Sequence, residues 1–190
     1  MTTTTIRPAD LHRATLVPVG AHCWAISSSM SWMVRTDRLS ASLRYRADDF
    51  GMNRPLSEFK ATKDASVLLC TVEKVLVPVP GNARTVTSEQ VTKIISLPVP
   101  KKVWGQSQFF FESPAYHVEQ ASVFTCGDKA AVFNRTYAAQ LGAFGDWHGD
   151  DPAKPFFIVN KKELVAIIMP ICMGAEVPRF VFGPVDDLAG

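Results

Sequence analysis

The alternation of apolar and polar residues along this chain predicts mostly short β-strands separated by proline and glycine. Alternating positions predict a half-exposed strand, and apolar or aromatic runs ended by proline predict buried strands. A Gly127-Asp128 pair between two such runs is typical of a hairpin turn. Residues 22–34 fit either a helix or a buried strand. The predicted strands are 43–46, 66–79 (a strand or a tight strand pair), 104–111, 116–126, 129–133, 155–159 and 164–170.

Two short helices interrupt this pattern. Thr87 or Ser88 is suited to cap a helix that runs to about residue 96. Asn134 is suited to cap a second helix over about 135–144, which presents its apolar residues on one face. The sequence therefore predicts an α+β fold, mainly antiparallel sheet with two or three short helices.

Length and composition indicate the number of domains and the class of the protein. The 190 residues are 47% hydrophobic and 20% charged with a net charge of +2, which excludes a disordered or strongly charged chain. We expect one domain over 1–173 and a C-terminal extension over 174–190. No apolar run is long enough to cross a bilayer and no secretory signal is evident, so a cytoplasmic protein without membrane partners is expected.

The four cysteines carry no recognisable pattern. They are far apart and form no C-x-x-C pair, which argues against a zinc site or a disulfide framework. Most stand among apolar neighbours, as buried free thiols do. We therefore predict no metal and no cofactor, and a reducing compartment.

Basic residues concentrate in the first third of the chain, at Arg35, Arg38, Arg44 and Arg46. One interpretation is a face that contacts nucleic-acid phosphates, helped by base stacking on the aromatic run Phe109, Phe110 and Phe111. The other is a solvated strand face for the arginines and core packing for the phenylalanines.

The string from Gly145 to Asp150 (Gly-Asp-Trp-His-Gly-Asp) resembles a metal-binding block of binuclear phosphoesterases. That chemistry would place Asp146 and His148 on a metal that activates water. However, it needs further ligands downstream, and His148 is the last histidine in the chain. We therefore interpret the string as a polar loop, and predict no catalytic residues and no enzyme, with a metal hydrolase as the outside alternative.

Residues 132–173 resemble the last subdomain of bacterial sliding clamps, the rings that hold DNA polymerase on its template. The resemblance rests on a strand ending in Phe-Asn, a short helix, a Pro-Phe-Phe-Ile strand and a closing Met-Pro strand. The matching residues are Phe133, Asn134, Tyr137, Leu141, Pro155, Phe156, Phe157, Ile158, Met169, Pro170, Ile171 and Met173.

The resemblance implies a clamp-like β-α-β-β unit, with the clamp-like part of the chain over about 66–173. It also implies a non-enzymatic module of a phage or mobile element that binds a protein or peptide, in replication or against host defence. A homo-oligomer is compatible with it, and nucleic-acid binding is the alternative function. The alternative for the expected groove is plain core packing. The groove residues it implies are Met169, Pro170, Ile171, Met173, Tyr137 and Leu141.

Overall fold

The computed structural model describes residues 15–27, 30–39, 44–47, 52–64, 67–78, 86–107 and 121–171. The chain forms two compact units. The N-terminal unit is Ile6–Pro98, and the C-terminal unit is Val99–Gly190 together with Met1–Thr5. The clamp-like region predicted for 66–173 spans this division, and the single domain over 1–173 stays a prediction.

The N-terminal unit is built from antiparallel strands in three groups, ordered β1-β2-β3, β4-β5 and β6-β7-β8. Short 3-10 turns at Thr36–Arg38 and Leu56–Glu58 follow β3 and β5. The strands are β1 (Thr15–Val19), β2 (His22–Ile26), β3 (Trp32–Arg35), β4 (Arg44–Ala47), β5 (Met52–Pro55), β6 (Phe59–Ala61), β7 (Val67–Cys70) and β8 (Val75–Pro78).

Helix α1 of this unit (Ser88–Ile95) begins where its sequence predicts. The Thr87 hydroxyl accepts from the amide of Gln90, and the Gln90 side chain accepts from the amide of Thr87, which is a capping box. Val91 is fully buried, and the Ser88 hydroxyl donates to the carbonyl of Pro18 in β1. The cap and this contact with β1 hold a helix too short to be stable alone.

The C-terminal unit is a six-stranded antiparallel arrangement in the order β14-β13-β12-β9-β10-β11. Helix α2 (Arg135–Leu141) continues into a 3-10 turn at Gly142–Phe144. The strands are β9 (Val103–Gln106), β10 (Ala121–Cys126), β11 (Lys129–Asn134), β12 (Asp146–His148), β13 (Phe156–Asn160) and β14 (Glu163–Ile168).

Five aromatic side chains from five of these strands form the core of the C-terminal unit. The ring of Phe124 stacks on Trp147, with 4.0 Å between ring centroids and 16° between planes. Phe133 meets the edges of Trp147, Phe124 and Phe156 at 5.1, 5.4 and 4.9 Å. Trp104 meets Phe156 at 5.0 Å. Such offset and edge-to-face contacts add to the gain from burial, so this cluster holds the strands together.

The predicted class is confirmed at the coarse level: the described chain is mostly antiparallel sheet with few short helices. The hairpin around Gly127 is confirmed, and residues 66–79 form the strand pair β7–β8. Residues 22–34 contain the β2–β3 hairpin. Strands β1, β5, β6 and β12 are not among the predicted strands, and the strand predicted for 164–170 ends at Ile168.

Candidate protein-binding site

The segment after β14 holds three of the predicted groove residues in different environments. Met169 is 37% exposed, whereas Pro170 is buried and Ile171 is half-buried. The amide of Ile171 donates to the carbonyl of Val132 over 2.8 Å. The Ile171 side chain packs on a small apolar cluster formed by Ala121, Val123 and Val132. Met169 is therefore an accessible side chain, and the segment that follows it is held by a backbone hydrogen bond and by the packing of Ile171.

The two residues of the predicted groove that lie on helix α2 also differ in burial. Asn134 caps α2, because its side-chain oxygen accepts from the amide of Tyr137 at 3.3 Å. Tyr137 is half-buried, whereas Leu141 lies in the core. Met173 lies outside the described residues. Of the five predicted residues that the structure describes, Met169 is thus the most accessible, and a complete groove stays a prediction.

The four arginines of the predicted basic face lie in different environments. Arg35 is buried, and its guanidinium donates to both carboxylate oxygens of Asp37, at 3.0 and 2.7 Å. Arg38 lies near the same carboxylate, with its Nε 3.9 Å from Asp37 Oδ2. Arg44 and Arg46 lie in β4, and the aromatic run 109–111 is outside the described residues. Arg35 is therefore committed to an internal ion pair.

The charges around Asp37 change its acidity. Partial burial alone would raise its pKa, but the hydrogen bond and charge of Arg35, with the charges of His22 and Arg38, bring the pKa below the usual range of an aspartate. Asp37 is consequently ionised at neutral pH, and its charge balances that of Arg35.

The thiol of Cys23, which lies near this ion pair, is buried and protonated at neutral pH. Burial raises the pKa of Cys23 to about 12, a hydrogen bond from Thr36 opposes this rise, and the charge of Asp37 adds to it. His22, the preceding residue, is exposed, as expected for adjacent residues of a strand. Among the described cysteines, Cys70 is also buried and Cys126 is half-buried, and all three are free.

The centre of the Gly-Asp-Trp-His-Gly-Asp string is a strand, so the interpretation of the whole string as a polar loop is wrong. Asp146, Trp147 and His148 form β12, and Trp147 points into the aromatic core while Asp146 is exposed. The Nδ1 atom of His148 lies 2.9 Å from the carbonyl oxygen of Pro100. Nowhere in the described ranges do three or more His, Cys, Asp or Glu residues come together as a metal site.

Both glycines of this string are required by close approaches. A Cβ at Gly145 would lie 2.2 Å from the carbonyl oxygen of Val159, and one at Gly149 would lie 2.7 Å from the ring of Phe156. The carbonyl of Gly149 also accepts from the indole of Trp104 at 2.8 Å. The two glycines of the string are therefore explained by packing around β12.

The structure shows accessible apolar residues to which the sequence assigns no role. Val72, Val75 and Leu76 of the β7–β8 hairpin are exposed. The sequence predicts a strand or a tight strand pair over this segment, but an apolar run does not indicate which of its faces stays exposed. The signal that could have found them is Pro78, since a proline in a strand marks a sheet edge.

No protein-family model, curated protein or solved structure matches this chain. In the part of the chain that the structure describes, no helix is both long and apolar enough to span a membrane.

Proposed function

We propose that this chain is a non-enzymatic, clamp-like protein-binding module that captures a short peptide segment at Met169. The observation that carries the proposal is the exposure of Met169 between two buried residues, Ile168 and Pro170. An exposed methionine is suited to a permissive peptide contact, because its unbranched side chain adapts to different partners at small cost.

The surroundings of Met169 support this function. Strand β14 precedes it, and the Ile171–Val132 hydrogen bond follows it, so the backbone on both sides is held. A side chain presented by ordered backbone loses less entropy on binding than one on a free terminus. The order β11, α2, β13 and β14, with β12 inserted after the helix, is compatible with the predicted β-α-β-β unit.

The alternative, nucleic-acid binding, has weaker support in the described residues. It relied partly on Arg35, whose guanidinium is already paired with Asp37. A buried, neutralised arginine offers little to a phosphate. The setting in a phage or mobile element, the role in replication or host defence, and self-association remain predictions.

A random heptapeptide display library, selected on the purified chain, tests the proposal. We expect enriched peptides with apolar residues, and we expect the Met169→Asp variant to lose their binding about tenfold or more, since it places a charge in an apolar contact. Val99→Asp is the matched control, because Val99 is 39% exposed in the same unit. If every enriched peptide binds Met169→Asp as tightly as the unmodified chain, so that none depends on Met169, the proposal is refuted.

A further inference from the structure

The β7–β8 hairpin of the N-terminal unit presents apolar side chains to solvent. Leu76 is 56% exposed, and Pro78, two residues further along the same face of the strand, is exposed with it. We call these two residues the β8 surface. Leu76 lies directly opposite Leu69 of β7, which is half-buried, and Leu69 lies opposite Lys60 of β6. One row across the sheet thus carries two leucines and one lysine on its outer face.

The outer edge of β8 also offers backbone groups. The amide of Thr71 donates to the carbonyl of Glu58, next to β6. The backbone N–H and C=O groups of Thr71, and by alternation those of Leu69, therefore face β6. Cys70 and Leu68 consequently face β8, where they pair with Val75 and Val77. By the same alternation, the N–H and C=O of Leu76 point away from β7. No strand in the described part of the chain pairs with that edge.

The charges around the β8 surface favour an acidic partner. Glu73, the acidic residue of the hairpin turn, forms an ion pair with Arg54, and its charge is thereby balanced. Lys74 and Lys60 are both exposed, and neither has an ion-pair partner among the described residues. Two uncompensated ammonium groups therefore lie beside the apolar row.

We propose that the β8 surface binds an extended segment of a partner protein that carries aliphatic residues at alternate positions and at least one carboxylate. The segment adds as a strand to β8, exchanges backbone hydrogen bonds with Leu76 and covers Leu76 with an aliphatic side chain. It places its carboxylate at Lys74, while Lys60, two strands further into the sheet, adds positive charge at longer range. This surface is separate from Met169, so the inference does not depend on the proposed function.

The edge itself limits the length of the segment. Pro78 has no N–H to donate, and the hairpin turn ends the strand on the other side, so Leu76 alone offers both backbone groups. A long strand or an unlimited stack of sheets is therefore disfavoured. Specificity must come from the side chains over Leu76 and from the two lysines.

The same random heptapeptide library tests this inference when it is selected on the full chain carrying Met169→Asp, which leaves the β8 surface intact. We expect enriched peptides with alternating aliphatic residues and Asp or Glu. Their affinity should fall about tenfold or more in Leu76→Asp, since a charge replaces an apolar contact. It should also fall in the Lys60→Glu/Lys74→Glu double variant. Leu97→Asp is the matched control, because Leu97 is 49% exposed in the same unit.

Three results would overturn the inference: no enrichment, enriched peptides whose binding survives Leu76→Asp, or enriched peptides without carboxylates. Sedimentation of the unmodified chain tests the remaining possibility, which is that a second copy of this chain binds the edge of β8. A self-association abolished by Leu76→Asp would assign this edge to a second copy of the chain and contradict a separate partner. Because the two proposals depend on Leu76 and Met169 separately, the failure of one is distinguishable from the failure of the other.

Discussion

The amide of Ile171 donates a hydrogen bond to the carbonyl of Val132 over 2.8 Å, and this contact joins the two ends of the six-strand order in the C-terminal unit. Val132 lies in β11, at one end of the order, and Ile171 follows β14, at the other end. The strands therefore bend so that β11 and the segment after β14 meet. Met169 lies two residues before this contact, and its position depends on it.

Replacing Ile171 with proline should loosen this contact. Proline has no N–H, so the bond to Val132 is lost along with part of the packing on the apolar cluster. We expect the free energy of unfolding to fall by about 1–3 kcal/mol in urea denaturation. Ile171→Val keeps the amide and should cost at most about 1 kcal/mol. Equal stability of the two variants would show that the contact does not hold the two ends together.

The two tryptophans of the aromatic core form a matched pair for mutation. Trp104 and Trp147 are equally buried, but the Trp104 indole donates to Gly149, whereas the Trp147 Nε1 has no acceptor in the described part of the chain. Both Trp→Phe changes leave a similar cavity. Trp104→Phe should cost about 1–3 kcal/mol more, because it also leaves a buried carbonyl unpaired. Thermal denaturation of both variants gives the comparison, and the reverse order would contradict it.

Much of the C-terminal unit is predictable from local signals. Asn134 as a helix cap and Gly127 in a hairpin turn are confirmed, because each residue acts through its own backbone. The turn at 160–163 is also confirmed, although Lys161 and Lys162 adopt positive φ values without any glycine. Strand β12 is not predicted, because three residues are too few to display an alternation and because its burial comes from strands distant in sequence.

The candidate site is less predictable than the fold. An apolar residue such as Leu141 or Met169 looks the same in sequence whether it lines a groove or fills a core. Only the packing of other strands puts Leu141 inside and leaves Met169 exposed. Arg35 is a similar case, since the short 3-10 turn that brings Asp37 beneath its guanidinium has no distinctive pattern.

The glycines around β12 should respond to alanine according to their surroundings. Gly145→Ala places its Cβ against the backbone of Val159, which cannot move aside, and should cost at least about 3 kcal/mol. Gly105→Ala meets nothing within 4 Å and should change stability by less than about 0.5 kcal/mol. Urea denaturation checks both. A mild effect at Gly145 would contradict its close approach to β13.

The Arg35–Asp37 pair should give stability a specific dependence on pH. The pKa of Asp37 is lowered in the folded chain, so the contribution of its charge to stability is present above the unfolded pKa and is lost as the pH falls through the folded pKa. Asp37→Asn should be less stable than the unmodified chain at pH 7, and the difference should shrink as the pH falls through this lowered pKa. A difference that is constant from pH 7 to pH 2 would show that the carboxylate charge does not matter.

The most direct test of the central proposal measures the affinity of one selected peptide, by fluorescence anisotropy, for the full chain and two variants. If Met169 is the contact, Met169→Asp weakens binding about tenfold or more while Val99→Asp leaves it unchanged. Raising salt from about 50 to about 200 mM should have little effect, whereas binding through phosphate-type contacts would weaken steeply. Equal affinity of the unmodified chain and Met169→Asp would contradict the account.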